Sequence, residues 1–114
     1  MPFFSITTNQ ALDADRSAAV SAEASAFLAG LLGKPEKYIM VHIRPGEAMI
    51  LNGNTEPAAF VELKSIGLAK DDCKMLAEKI CGFLEEWVGI PADRAYIDFH
   101  AIDGAMFGWN KTTF

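Results

Sequence analysis

Apolar positions recur with helical spacing in two windows of the chain. Val20, Ala24, Phe27, Leu28, Leu31 and Leu32 form the first, and Leu76, Ile80, Phe83, Leu84, Trp87 and Val88 form the second. Both follow i, i+4, i+7, i+8, i+11, i+12, which is one face of an α-helix. Asp13 or Asp15 offers an N-cap to the first helix, and Asp71 or Asp72 offers one to the second. Gly33 and Gly89 read as helix stops, with Pro35 and Pro91 just beyond them. Strand-like runs flank each helix. Phe3–Thr8 and Tyr38–Ile43 surround the first, and Ala58–Gly67 and Ala95–Phe99 surround the second.

The two halves also match each other. At an offset of 56, Gly33-Lys34-Pro35 meets Gly89-Ile90-Pro91, Phe27-Leu28 meets Phe83-Leu84, Phe4 meets Phe60 and Asp15 meets Asp71. We therefore expect one domain over residues 1–114, with an internal repeat spanning 1–47 and 58–100. Each strand–helix–strand unit implies a parallel pair joined by a right-handed crossover. The expected fold class is α/β, with two pseudo-repeated β-α-β units in one four-stranded mixed sheet and both helices on one face. Arg44–Pro57, rich in Gly, Pro and Asn, connects the units, and the aromatic tail Met106–Trp109 reads as a small edge strand.

Strand alternation separates two faces. Ile39, Val41, Ile43, Ile97 and Phe99 point to the helix-covered core, and Tyr38, Met40, His42, Tyr96, Asp98 and His100 point away from it. The second face is too aromatic for an ordinary wet surface and too polar for a second core, and no further helices exist to cover it. Burial against other copies of the chain is the simplest solution.

Composition narrows the function classes. The 114 residues are 51% hydrophobic and carry a formal charge of −5. A core of ordinary size is available without metals or disulfides. No basic cluster gives the footprint of a nucleic-acid binder, and no apolar run approaches a membrane span. The start, Met1-Pro2-Phe3-Phe4, turns polar at once and does not read as a secretory signal, so the cytoplasm is the expected compartment. Cys73 and Cys81 fall eight residues apart in one helix, ~12 Å along its axis. That exceeds the reach of a disulfide. Neither has a metal-ligand pattern nearby, and two histidines cannot build a metal triad, so no metal is expected.

Pro2 directly after Met1 is the first chemically specific feature. Removal of Met1 would free a secondary amine; read alone, Pro2 merely starts an edge strand. Taken with Thr8-Asn9, Gly33-Lys34-Pro35, Tyr38-Ile39, Val41-His42, Glu56-Pro57, Ser65-Ile66-Gly67, Cys81-Gly82, Asp93-Arg94, Tyr96-Ile97, Gly108-Trp109-Asn110 and Thr113-Phe114, it resembles the macrophage migration inhibitory factor (MIF) family of the tautomerase superfamily over essentially the full length. The resemblance implies a homotrimer whose three sheets enclose a channel. It implies a cofactor-independent keto–enol tautomerase of the phenylpyruvate or dopachrome type, acting on a small aromatic 2-oxo acid with Pro2 as general base. It also implies that Lys34 and the backbone of Ile66, next to Ser65, hold the substrate acid or its developing oxyanion. Tyr96 would come from the neighbouring subunit, and Asp98 stands where the family commonly has a pocket asparagine.

Phe3, Tyr38, Phe107, Trp109 and Phe114 can supply an apolar pocket that lowers the amine's pKa. On the residues alone, Lys34 also reads as a solvated helix-end cation. Tyr96 also reads as sheet packing, and Phe107 and Trp109 as tail residues sealing an interface. A carboxylate at Asp98 would repel an anionic substrate, and Phe107 narrows the site. Vertebrate members carry a CxxC pair where this chain has Ala58 and Val61, so thiol–disulfide chemistry is not expected. The rival reading is a cytokine-like, receptor-binding protein with vestigial catalysis, exported without a signal peptide as some of the family are. A dehalogenase ranks lower, because no arginine accompanies Pro2.

Overall fold

The structure is a computed structural model that describes residues 1–114. Its elements run β1 (Phe3–Thr8), α1 (Ala14–Leu32), β2 (Met40–Arg44), β3 (Ala59–Ile66), α2 (Cys73–Trp87), β4 (Ala95–Ile102), β5 (Gly108–Trp109) and β6 (Thr112–Thr113). The first four long strands form one sheet in the order β2-β1-β3-β4. Strands β1 and β2 pair in parallel, as do β3 and β4, and β1 joins β3 antiparallel. This is the expected doubled β-α-β sheet.

One core lies between the sheet and both helices. It joins Phe4, Ile6, Val61 and Leu63 of the sheet to Val20, Ala24 and Leu28 of α1 and Leu76, Ile80, Phe83 and Leu84 of α2. Both helices therefore cover the same face. Ile39, Val41, Ile43, Ile97 and Phe99 pack against this core, as their alternation requires. The opposite face is uncovered, with Met40 64% and Tyr96 63% exposed. Burial of large apolar side chains is worth about 1.5–3 kcal/mol each, so a face left this open is a cost that another surface can relieve.

The helix ends are set locally. The Asp13 carboxylate accepts from the Arg16 N–H at 2.7 Å and caps α1. Gly33 takes the left-handed conformation (φ 62°), and the Lys34 N–H reaches back to the Ala29 carbonyl at 3.3 Å. The second helix departs from expectation. Lys70–Asp72 form a 3-10 turn, and Asp72 has helical dihedrals with no side-chain cap bond. Asp72 thus holds the N-cap position the sequence suggests, but without a capping bond, and Asp71 lies in the turn before it.

Two further expectations change. Tyr38 belongs to a 3-10 turn, Glu36–Tyr38, that follows Pro35, and β2 starts only at Met40. The tail does not join the sheet edge. Strands β5 and β6 pair with each other through Asn110 and Lys111, both at positive φ (51° and 64°), as in a tight hairpin turn. This doubling-back brings the Phe114 N–H to the Phe107 carbonyl at 3.1 Å.

The connector is tied down by Arg94, which is buried at 7% exposure. Its guanidinium donates to the carbonyls of Pro57 (2.9 Å), Leu51 (3.0 Å) and Glu56 (2.9 Å). No carboxylate neutralises it; backbone oxygens do that work.

Candidate functional site

Parallel pairing sets the start of the chain beside β2, where the Met40 N–H donates to the Pro2 carbonyl at 3.0 Å. Pro2 itself is fully buried. It lines a cavity of about 350 Å³ together with Phe3, Tyr38, Phe107, Trp109 and Phe114. The structure thus gathers all five aromatic candidates around Pro2. They hold one another in place. Tyr38 meets Trp109 edge-on at 5.3 Å and Phe114 at 5.9 Å, and Trp109 stacks on Phe114 at 5.4 Å across the tail hairpin. Offset and edge-on pairs of this kind contribute about 0.5–1.5 kcal/mol each beyond area burial.

Lys34, Ser65 and Ile66 gather in a second, smaller cavity of about 120 Å³. Gly33 turns the chain so that Lys34 leaves the end of α1, and its ammonium donates to the Ile66 carbonyl at 3.3 Å. Two further ammonium hydrogens remain for a ligand. The positive charge also reaches the chain start. The N-terminal amine of Met1 has its pKa lowered, first by burial and second by Lys34. With Met1 in place the Pro2 nitrogen is an amide, and the Met1 side chain occupies part of the cavity wall.

Tyr96 and Asp98 stand apart from this constellation. Tyr96 lies opposite Phe60, which lies opposite Thr7, so it is two strands across and five residues along from Pro2. That is ~10 Å sideways and ~16 Å lengthwise. Asp98 lies on the same edge strand and accepts from His100 at 2.8 Å, both half exposed. Within one chain neither reaches the cavity.

Sequence reasoning passed over four neighbours of Pro2: Lys37, Ile39, Met40 and Lys64 line the same cavity. Lys64 was legible, because alternation along β3 puts it opposite Phe3 on the open face. Lys37 was not, because its place depends on the 3-10 turn and on its ammonium lying 4.9 Å above the Tyr38 ring.

A buried proline at the chain start under an aromatic tail, with a lysine at the first helix stop nearby, is a pattern that can be compared with known proteins. The family model described as macrophage migration inhibitory factor (MIF) matches residues 1–114. The chain belongs to the MIF family. It is 36% identical to a macrophage migration inhibitory factor of Xenopus tropicalis, over 100% of this chain and 99% of the relative. It is 37% identical to a macrophage migration inhibitory factor homolog of Brugia malayi with the same coverage. Among solved structures, the MIF homologue of Prochlorococcus marinus superposes with a TM-score of 0.90 at 42% identity, covering 98% of both chains. The Trichinella spiralis MIF gives 0.89 at 34% identity, covering 98% of this chain and 99% of that one. The four-stranded mixed sheet with two helices is thus the MIF fold, and membership places the chain in the tautomerase superfamily. No helix is long and apolar enough to cross a membrane, and no group of three or more His, Cys, Asp or Glu could hold a metal ion.

Proposed function

We propose that this MIF-family protein is a cofactor-independent keto–enol tautomerase of small aromatic 2-oxo acids such as phenylpyruvate, with Pro2 as the general base. The observation that carries the reading is the burial of Pro2 in an aromatic cavity beside the cation of Lys34. Once Met1 is removed, the chain begins with a secondary amine in that setting. Apolar surroundings and a neighbouring cation both disfavour its charged form. A neutral amine is then available near neutral pH, where a general base is most effective.

The chemistry needs no cofactor. The neutral amine takes a proton from the carbon beside the keto group while the C–H electron pair moves through to the keto oxygen. Lys34 stabilises that developing oxyanion or pairs with the substrate carboxylate. The protonated amine then returns the proton to oxygen, giving the enol; ketonisation is the reverse. The substrate ring packs against Tyr38, Phe107, Trp109 and Phe114. Ser65 and Ile66 support Lys34 and add backbone polarity at the acid end.

We further propose that the working form is a homotrimer, in which Tyr96 and Asp98 approach the site from a neighbouring subunit. The uncovered sheet face supports this. The test is an enol–keto assay on phenylpyruvate with protein shown by intact mass to lack Met1. Turnover that depends on Pro2 supports the reading. No turnover above buffer would leave the receptor-binding alternative in its place.

A further inference from the structure

The chain is acidic overall, at −5, yet the wall of the Pro2 cavity inverts that sign. Within one chain Lys37 and Lys64 line it and no Asp or Glu does; in the proposed trimer Asp98 of a neighbour approaches from β4, away from the Lys37 turn. Both lysines are additional to Lys34, which lines the neighbouring cavity with Ser65 and Ile66. Lys37 is held by the face of the Tyr38 ring, 4.9 Å from its centroid, a geometry that attracts a cation without neutralising it. Lys64 extends from β3 across from Phe3. Its one acidic neighbour, Glu62, lies 3.9 Å away with both side chains more than a third exposed. That is beyond hydrogen-bond length, and pairs so exposed hold little energy. Lys64 is thus free to exchange Glu62 for a ligand. A monoanionic aryl 2-oxo acid needs one cation for its carboxylate, and Lys34 supplies it. The remaining two cations have no counterpart on such a molecule.

We infer that Lys37 and Lys64 form a second anion subsite, and that the preferred substrates are aromatic 2-oxo acids carrying a further carboxylate on the ring. This rests on the tautomerase reading and extends it to the substrate class. The 2-oxo acid end lies toward Lys34 and Pro2, the ring lies among the aromatic side chains, and the ring carboxylate meets the two lysines at the cavity wall. Tautomerisation itself is unchanged, since the ring carboxylate takes no part in the proton transfer.

The test compares kcat/KM for the enol of 4-carboxyphenylpyruvate with that for 4-methylphenylpyruvate, in Met-free wild type and in Lys37→Gln and Lys64→Gln. Comparing the same two substrates across proteins cancels the electronic effect of the ring substituent. The expected ratio, charged over neutral, falls by about 5- to 10-fold in each variant, the size of a partly exposed ion pair of roughly 1 kcal/mol. A ratio equal in wild type and both variants overturns the subsite. Arg replacements that restore the ratio would separate charge from packing, and failure of Lys64→Arg and Lys37→Arg alike to restore it also overturns the subsite. The underlying reading fails separately. If Pro2→Gly turns over 4-methylphenylpyruvate as fast as wild type, Pro2 is not the base, whatever the lysines do.

Discussion

The Lys34 ammonium donates to the Ile66 carbonyl at 3.3 Å, joining the end of α1 to the end of β3 beside the chain start. That position lets one cation act twice. In the proposed reaction it would hold the acid end of the substrate, and it lowers the pKa of the Met1 amine. Lys34→Ala should lower kcat/KM by about 10- to 1,000-fold, as loss of an oxyanion donor does. It should also move the pH–rate profile. The rate requires neutral amine, so it rises with pH through the amine pKa. The Pro2 amine freed by loss of Met1 would begin beside the same cation, so removing Lys34 should shift the rising limb to higher pH. A profile that keeps its position would show that Lys34 does not act on the base.

Arg94 carries the stability of the connector. Its donors reach carbonyls of residues 51–57, two of which have a second donor: Leu51 from the Asn54 N–H and Glu56 from the Asn9 amide. Arg94→Ala buries no charge but leaves part-buried acceptors without that donor, and each unsatisfied group costs about 1–3 kcal/mol. The expected loss is about 2–4 kcal/mol in urea unfolding followed by circular dichroism. A loss below about 0.5 kcal/mol would mean water replaces the guanidinium fully.

Much of the frame was legible because it depends on local periodicity. The apolar stripe from Val20 to Leu28 and that from Leu76 to Leu84 became the core, and alternation sorted Val41 and Ile97 from Met40 and Tyr96. The errors sit where local signals compete. Tyr38 has an aromatic ring suited to a strand, but Pro35 starts a 3-10 turn that claims it. Asp72 takes the cap position, but the turn at Lys70–Asp72 gives it helical dihedrals and leaves its carboxylate without a cap bond. The Asn110-Lys111 hairpin lacks the glycine that marks such turns, so the tail looked like a single strand. The candidate site divides in the same way. Pro2 and Lys34 stand out only through the family resemblance, whereas Lys37 enters the cavity only through the turn that sequence patterning missed.

Association is the next expectation. Met40, Phe60 and Tyr96 are exposed on the face the helices leave open. A homotrimer of 12.4 kDa chains should appear by light scattering at micromolar concentration, with its Tyr96 ring protected in the assembly. A stable monomer under those conditions would contradict both the assembly and the placement of Tyr96 and Asp98 at a shared site.

Thiol–disulfide turnover should be absent. By the family resemblance Ala58 and Val61 stand at the CxxC positions, and the two cysteines are free on one helix. Burial, and then the Glu85 charge, raises the Cys81 pKa, so its reactive thiolate is scarcer than in an ordinary cysteine at neutral pH. Insulin reduction should match a no-enzyme control. Turnover above it that is lost in Cys73→Ser or Cys81→Ser would reverse this conclusion.

The last prediction concerns Pro2. Replacing it by glycine keeps an amine at the head of the chain once Met1 is removed, but a primary and less constrained one. The Met40 N–H still finds a carbonyl at that position, so the fold and assembly should survive. Activity on the phenylpyruvate enol should fall by about 100- to 10,000-fold, the contribution of a positioned general base. Protein that retains Met1 should be inactive by the same chemistry. Acylation removes the basicity of the Pro2 nitrogen, and Met1 fills space that the substrate needs. Its own free amine, though lowered in pKa by burial and Lys34, is displaced from the Pro2 nitrogen by a whole residue, and a base misplaced by even 1 Å loses much of its effect. The pH–rate profile of Met-free protein should rise through a pKa below that of a free proline amine, since burial and Lys34 both favour the neutral form. Mass spectrometry fixes the state of the terminus in each sample, so the comparison isolates the nitrogen. Equal rates for Met-free wild type and Pro2→Gly would place the base elsewhere and leave the cavity as a binding site without this chemistry.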